Sequence, residues 1–424
     1  MWLVDILSAG FGIGSWIAMT GLWVELPLLV QRLPEGWALA SQLSLFLQVA
    51  NIGPILYGLL HHCWPRCTTE RAATHFQLAV GTLSTFLLIF MWHWTFFGRS
   101  IPFFILSFGL SLVDCTSSVV FLPFMANFRS RYLTPYLVGE GVSGLLPSLV
   151  AMAQGIANPE CVNETHTVLV EGVNITEVIL IPLIKEPRFE PEWFFAILLV
   201  MVLLSWIAFI VLDRSPSCKK EKLKYIKKER NCYELVEVCE EKKLEEKLKK
   251  QNKSRTVYFY LLFLQLWASI ITFGVFPAIQ PYSCLPYGET PFHLTVTLCG
   301  VAYPAACLLA MFLEVRNISW ISWMSVVFTI ISAYAMIAAL LSPLPPLLHS
   351  TLGSCLIVVC WVAFMFAFSY IKTMVTIILG DDYGHRALFW CGAVTQGGAV
   401  LGAFVMFLLV NLFDVFEDKG MCIV

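Results

Sequence analysis

The residues able to do chemistry in this chain are polar side chains stranded in long apolar runs. The densest group is Asp114-Cys115-Thr116-Ser117-Ser118, in the middle of the apolar run 101–126. Polar groups at membrane depth are costly and mark a pathway by default, so this group reads as one wall of a wet cavity. The plain alternative is that the hydroxyls bond back to i−4 carbonyls while Asp114 pairs with a neighbouring helix. Gln48 and Asn51 share a helix face, with Gly53-Pro54 loosening the turn after them. Thr272, Pro277 and Gln280 repeat that arrangement of polar groups around a proline. Tyr370 and Lys372 stand near the end of another run, where Lys372 has the reach to snorkel to the interface. Gln396 lies in the small-residue stretch GAVTQGGAVLGAF, which suits close helix packing. Trp361 and Trp390 fit either a site or an interfacial aromatic belt.

The stretch Phe11 to Leu29 is the oddest span, with two tryptophans, a threonine, a glutamate and a proline. Trp16, Thr20 and Trp23 fall at i, i+4 and i+7 on one face. Gly10, Gly14 and Gly21 lie roughly opposite, with Glu25 beside them. Pro27 removes a helix hydrogen bond and predicts a kink there. Three acids have a gating or proton role open to them: Glu25, Asp114 and Glu140. For Glu25 the bland reading is an inter-helix anchor. For Glu140, in GEGVSGLLP near Arg129 and Arg131, it is a structural ion pair.

These residues need a frame, and composition supplies it. The chain has 424 residues, 58% hydrophobic and 13% charged, about half the charged share usual in soluble domains. This is the composition of an all-α polytopic membrane protein. Runs near the ~20 residues a span needs fall at 3–30, 38–60, 72–95, 101–126, 133–157, 192–212, 256–279, 290–313, 317–341, 350–372 and 386–412. About eleven transmembrane helices result, in a 6+5 arrangement: a bundle over 1–212, a Lys/Glu-rich loop over 213–255 and a second bundle over 256–424. The charge alternation in the central loop reads as a solvated linker. The loop 158–191 carries the glycosylation acceptors Asn163 and Asn174. Lysines of the central loop belong on the cytoplasmic side, and the acceptor loop then falls outside. The N-terminus is therefore expected inside and the C-terminal tail outside. Six spans, a long loop and five more resemble the plan of major facilitator-type carriers and equilibrative nucleoside transporters.

The net charge of −2 offers nothing to nucleic acid. No G-x-S-x-G, H-E-x-x-H, Walker A or G-x-G-x-x-G motif occurs, so no enzyme is expected. His61-His62 lacks a third ligand, and neither a metal nor a cofactor is expected. Aromatic faces with amides and hydroxyls suit a flat, neutral heterocycle bearing hydroxyls. A carrier of nucleosides or another such heterocycle remains open, as does a cell-surface receptor or scaffold. The lipid bilayer is an expected partner, and the chain is expected to be monomeric.

Several long motifs resemble the vertebrate riboflavin transporter family, solute carrier family 52. They include GLWVELPLL at 21–29, LPEGW at 33–37, ANIGP at 50–54, LVDCTSSVVFLPFM at 112–125, GEGVSGLLP at 139–147, YSCLPYG at 282–288 and SYIK at 369–372. The resemblance implies sodium-independent uptake of riboflavin across the plasma membrane by a carrier, favoured by acid in some members. It implies that Trp16, Thr20, Trp23, Glu25 and Pro27 belong to a sensitive first helix. With the polar residues of the other spans, the expected substrate site is drawn from Trp16, Thr20, Trp23, Gln48, Asn51, Asp114, Ser117, Thr272, Gln280, Tyr370 and Gln396. Relatives often carry Asn where this chain has Thr20 and Phe273. They also tend to have a cysteine in the loop that reads Ser342-Pro343-Leu344-Pro345 here. Cys161 and Cys284 both fall on the expected outside, and a disulfide between them would join the two halves.

Overall fold

The structure is a computed structural model describing the chain except residues 1, 37, 65–67, 156–158, 171–172, 185–186, 223–243, 349, 414 and 417–424. Before the linker run helices α1 (Trp2–Ile13), α2 (Ile17–Arg32), α3 (Ala38–Ala50), α4 (Ile52–Cys63), α5 (Glu70–Met91), α6 (Ile101–Met125), α7 (Leu133–Gln154) and α8 (Pro191–Arg214). After it come α9 (Leu244–Ser269), a π-helical turn (Ile270–Val275), α10 (Phe276–Cys284), α11 (Glu289–Phe312), α12 (Ile318–Leu340), α13 (Thr351–Tyr383) and α14 (His385–Asn411).

Every apolar run is helical, but not every run is one helix. Among the described residues nine helices are long and apolar enough to cross a membrane, or ten if α1 and α2 count as one bent span. The run 38–60 is divided at Asn51 into pieces of 13 and 12 residues. Each is about 18–20 Å long, short of the ~30 Å hydrocarbon core. The expected kink at Pro27 is not where the first span breaks. Pro27 lies inside the continuous α2, and the 46° bend falls between Ile13 and Ile17. The Ser15 hydroxyl donates to the Gly12 carbonyl there at 2.6 Å. Glycines then let α1 approach α7: a Cβ on Gly139 would collide with the Ala9 carbonyl.

Two apolar cores hold the first half together, one around Leu22, Leu29, Phe103, Phe194 and Phe195 and one around Phe11, Phe121, Phe124, Tyr136 and Phe209, the second reaching Cys307 and Leu388 of the other half. Two others hold the second half, around Phe276, Trp361 and Phe364 and around Leu261, Ile371 and Met374. Ion pairs mark the two ends of the bundle. Arg71–Asp213 at 2.8 Å and Arg131–Asp5 at 3.3 Å lie at the end that feeds the linker. Arg32–Glu190 lies at the far end. The segment 159–184, read above as a loop, contains a two-stranded antiparallel hairpin, β1 (Pro159–Val170) and β2 (Val173–Ile184). Its β-branched content favours strands. Asn163 stands opposite Leu180 and Asn174 opposite Leu169.

The linker does not begin as a solvated run. Cys218 is fully buried, and the Lys222 ammonium sits 5.2 Å from the Phe124 ring centroid and 5.5 Å from that of Phe128. Burial there pushes the Lys222 ammonium below the usual lysine range.

Candidate functional site

The site is built where both halves depart from regular helix. Trp16 caps α2 at the break after α1. Phe273 belongs to the π-helical turn, a form that recurs at functional sites. Irregular backbone at membrane depth is tolerated where protein or a cavity covers it. The two rings stack across the halves with centroids 5.0 Å apart and planes 27° from parallel. Lys372 of α13 places its ammonium 3.5 Å from the Phe273 centroid and 5.8 Å from that of Tyr303. The Tyr303 hydroxyl on α11 donates to Glu140 Oε1 on α7 at 3.1 Å. Tyr303 thus links the Glu140 carboxylate, at its hydroxyl, to the Lys372 ammonium near its ring. Aromatic face, cation, phenol and carboxylate therefore converge from five elements. The set can stack a flat ring and offer both donors and acceptors to its edge.

Further contacts close the halves on each other. Gly141 lets α7 reach α11, since a Cβ there would stand 2.9 Å from Pro304 Cα. The Gln396 amide donates to Ser118 Oγ at 2.8 Å, and a Cβ on Gly392 would collide with the Ser118 carbonyl. At the linker end His385 Nε2 lies 2.7 Å from Glu70 Oε1. Beside the Gln396–Ser118 contact a groove of about 1190 Å³ runs between α3–α4 and α14, with Gln48, Asn51 and Gln396 among its lining residues.

The sequence-expected residues scatter. Trp16 sits in the inter-half cluster, and Gln48, Asn51 and Gln396 share the groove. Thr20 and Trp23 are half-buried on α2, Trp23 packed on the first half's core. Asp114 lines a small cavity enclosed by Ser15, Leu78 and Val202, inside the first half. Ser117 donates to the Asp114 carbonyl at 2.8 Å and Thr272 to the Ala268 carbonyl at 2.8 Å, bonds local to their own helices. Gln280 is half-buried on α10. Tyr370 donates to the Leu313 carbonyl at 2.6 Å, tying α13 to the end of α11.

Several expectations are corrected. Glu140 does not pair with the neighbouring loop, because Arg129 engages Glu221 and Arg131 engages Asp5. Lys372 does not snorkel; it is only 7% exposed and lies over Phe273. Trp361 is no belt residue, being buried with its indole donating to Ser283 at 3.2 Å, whereas Trp390 is 54% exposed. Glu25 is fully buried and accepts from the Gln154 amide at 3.0 Å. That geometry is the anchor reading. Cys284 is a free thiol buried beside Ser283. The side chains of Cys161, Asn163 and Asn174, and all of Cys422, lie outside the described residues. Among the described residues no three His, Cys, Asp or Glu side chains converge as a metal site needs. Tyr303 entered no sequence expectation, and Phe273 entered only as a pocket-wall position where the resemblance implies Asn in relatives. The other usable signal for this region was that Lys372 is a base inside an apolar run.

The family described as solute carrier family 52, riboflavin transporter, matches residues 1–418. The chain is 39% identical to riboflavin transporter member 3-B of Danio rerio, with 98% of each covered. It is also 39% identical to the human member 3, covering 99% of this chain and 98% of that one. Among solved structures it resembles the proton:xylose symporter XylE, of the major facilitator superfamily, with a TM-score of 0.58 at 11% identity over 97% of this chain and 89% of that one. It also resembles the human organic anion transporter MFSD10, with a TM-score of 0.54 at 11% identity over 96% and 94%. The fold is that of these transporters.

Proposed function

The chain belongs to the riboflavin transporter family, solute carrier family 52, and from that membership we propose that it carries riboflavin across the plasma membrane by alternating access. The observation that supports this most directly is the Trp16–Phe273 stack, one ring from each half. A flat isoalloxazine seated between them, at ~3.5 Å from each face, needs the rings about 7 Å apart. The present 5.0 Å is too close, so admitting substrate separates the two halves at this point. Substrate binding and rocking of the bundles are then one event. In this reading Lys372 and the Glu140–Tyr303 pair meet the polar edge of the ring system, and Gln48, Asn51 and Gln396 meet the ribityl hydroxyls.

The linker end is taken as cytoplasmic, from its lysines, with Asn163 and Asn174 glycosylated outside. Glu70–His385, Ser118–Gln396 and Gly392 against Ser118 are then the contacts that hold the halves together towards the cytoplasm and that part in an inward-facing state. Uptake is expected to be independent of sodium. If acid favours it, Glu140 is the acid that faces both halves, whereas Glu25 is committed to Gln154 within the first.

Uptake of labelled riboflavin into cells expressing the chain tests the reading, with nucleosides as competitors and choline replacing sodium. Riboflavin is expected to accumulate and nucleosides to compete weakly. A surface-expressed protein with no uptake above background would overturn it.

A further inference from the structure

The groove between α3–α4 and α14 is larger than the amides at its deep end require. Most of its wall is apolar: Ile55, Leu59, Phe389, Val400, Leu401 and Phe404 line it. Ile55, Leu59 and Phe404 are each 59–64% exposed, on a surface that faces sideways from the bundle. Its floor is closed where Gly58 meets the Phe389 ring, 3.8 Å from a Cβ placed there. Gly397 borders open space, with nothing within 4 Å of an added Cβ. Gln48 to His62 spans roughly 21 Å at 1.5 Å per residue, more than half the ~30 Å hydrocarbon core. The mouth at the linker end holds Arg386, His61 and His62. Arg386 is exposed and makes no ion pair among the described residues. His385 beside it is engaged with Glu70.

We propose that this groove binds one anionic glycerophospholipid, with an acyl tail along the apolar wall and its phosphate at Arg386. The lipid comes from the leaflet at the linker end. A planar guanidinium matches a phosphate in two-point contact. The apolar wall gives a tail what the surrounding bilayer gives it, in a slot shaped by two helices. The tail also has a structural task. Without it, the half-buried Gln48 and Asn51 would border an unfilled lateral gap between the halves. A bound tail seals that lateral gap between the halves and keeps the polar path separate from the membrane.

Native mass spectrometry of the purified full chain, equilibrated with dioleoyl phosphatidylglycerol and dioleoyl phosphatidylcholine, tests this. The wild type is expected to retain one phosphatidylglycerol, about fivefold over phosphatidylcholine, the preference one basic residue at a membrane surface supplies. Gly397→Leu fills the slot without touching backbone and is expected to lower retention of both lipids. Val400→Phe, a second filling variant, guards against misfolding of the first, and both are checked for a single sharp size-exclusion peak. Arg386→Ala is expected to erase the headgroup preference, and Arg386→Lys to keep only part of it. Equal retention of the two lipids by the wild type would overturn the proposal. So would undiminished retention by a folded slot-filling variant.

Discussion

Two polar groups in this molecule have opposite fates. Asp114 to Ser118 is the densest polar run inside a span, yet most of it turns inward on the first half. Asp114 faces a cavity walled by Ser15, Leu78 and Val202, and Ser117 and Ser118 donate to carbonyls of their own helix. Trp16, Phe273, Lys372, Tyr303 and Glu140 are dispersed in sequence but meet across the halves. Polarity at depth therefore serves helix packing as readily as it serves a pathway. What distinguishes a pathway is convergence from both halves, since only such contacts must break when the halves rock. Ser118 belongs to both classes, because its hydroxyl also accepts from Gln396.

The largest expected effect comes from dividing the inter-half charges. Removing one member of a directly paired, fully buried ion pair costs about 3–5 kcal/mol. Glu140 is half-buried and meets Lys372 only through Tyr303, so Lys372→Met is expected to lose less, about 1–3 kcal/mol of stability. Adding Glu140→Gln is expected to restore part of that loss. Thermal unfolding of the two single variants and the double variant reads the coupling. Strict additivity would mean that the charges do not interact and that the cluster is no unit.

Next in size is the stack. Trp16→Ala removes an aromatic face worth ~0.5–1.5 kcal/mol beyond its buried area, so riboflavin uptake is expected to fall about tenfold or more. Trp16→Phe keeps a face and is expected to retain most of the uptake. KM and maximal rate measured at matched surface expression separate weaker binding from slower turnover. An equal loss in both variants would tie Trp16 to helix geometry instead of stacking.

How much of this was legible follows from where regular helix ends. The apolar runs were readable because burial in lipid demands them, and all of them are helical. Gly10, Gly14 and Gly21 were readable as a packing face, and they meet Ala208, Ser205 and Leu198 of α8. The stacked rings were harder to pair, because each sits on irregular backbone: Trp16 at a break and Phe273 in a π-helical turn. Helical spacing grouped Trp16 with Thr20 and Trp23, but the break precedes Ile17 and sets the Trp16 ring by a different rule. Pro27, the residue most expected to bend the chain, sits in an intact helix. Lys372 was misread for a related reason. A lysine near a helix end usually reaches water, and only the tertiary placement of Phe273 and Tyr303 holds it inside.

A smaller effect is expected at Phe273. Phe273→Asn exchanges the ring under Lys372 for an amide. The cation–π contact, ~0.5–2 kcal/mol, would be lost and a hydrogen-bonding edge gained. Overall uptake is expected to change by only a few-fold, while the ranking of ring-modified flavin competitors shifts. An unchanged ranking would remove Phe273 from the substrate's ring edge.

The smallest effect is expected where the sequence placed the greatest weight. Asp114→Asn keeps side-chain size and deletes only the capacity for charge. The cavity that Asp114 lines is walled by first-half residues, Ser15 among them, and includes neither ring of the Trp16–Phe273 stack. One of its oxygens, Oδ1, is buried without a partner. An amide in its place adds a donor, so stability should move by no more than the ~1 kcal/mol of a typical hydrogen bond. Riboflavin KM is expected to stay within about twofold of the wild type, while the amount of protein reaching the surface absorbs whatever change occurs. KM at matched surface density is therefore the measurement that counts. A KM raised as far as in Trp16→Ala would show that Asp114 meets substrate in another state of the carrier. The separation between a packing cluster and a pathway cluster would then fail at its strongest point.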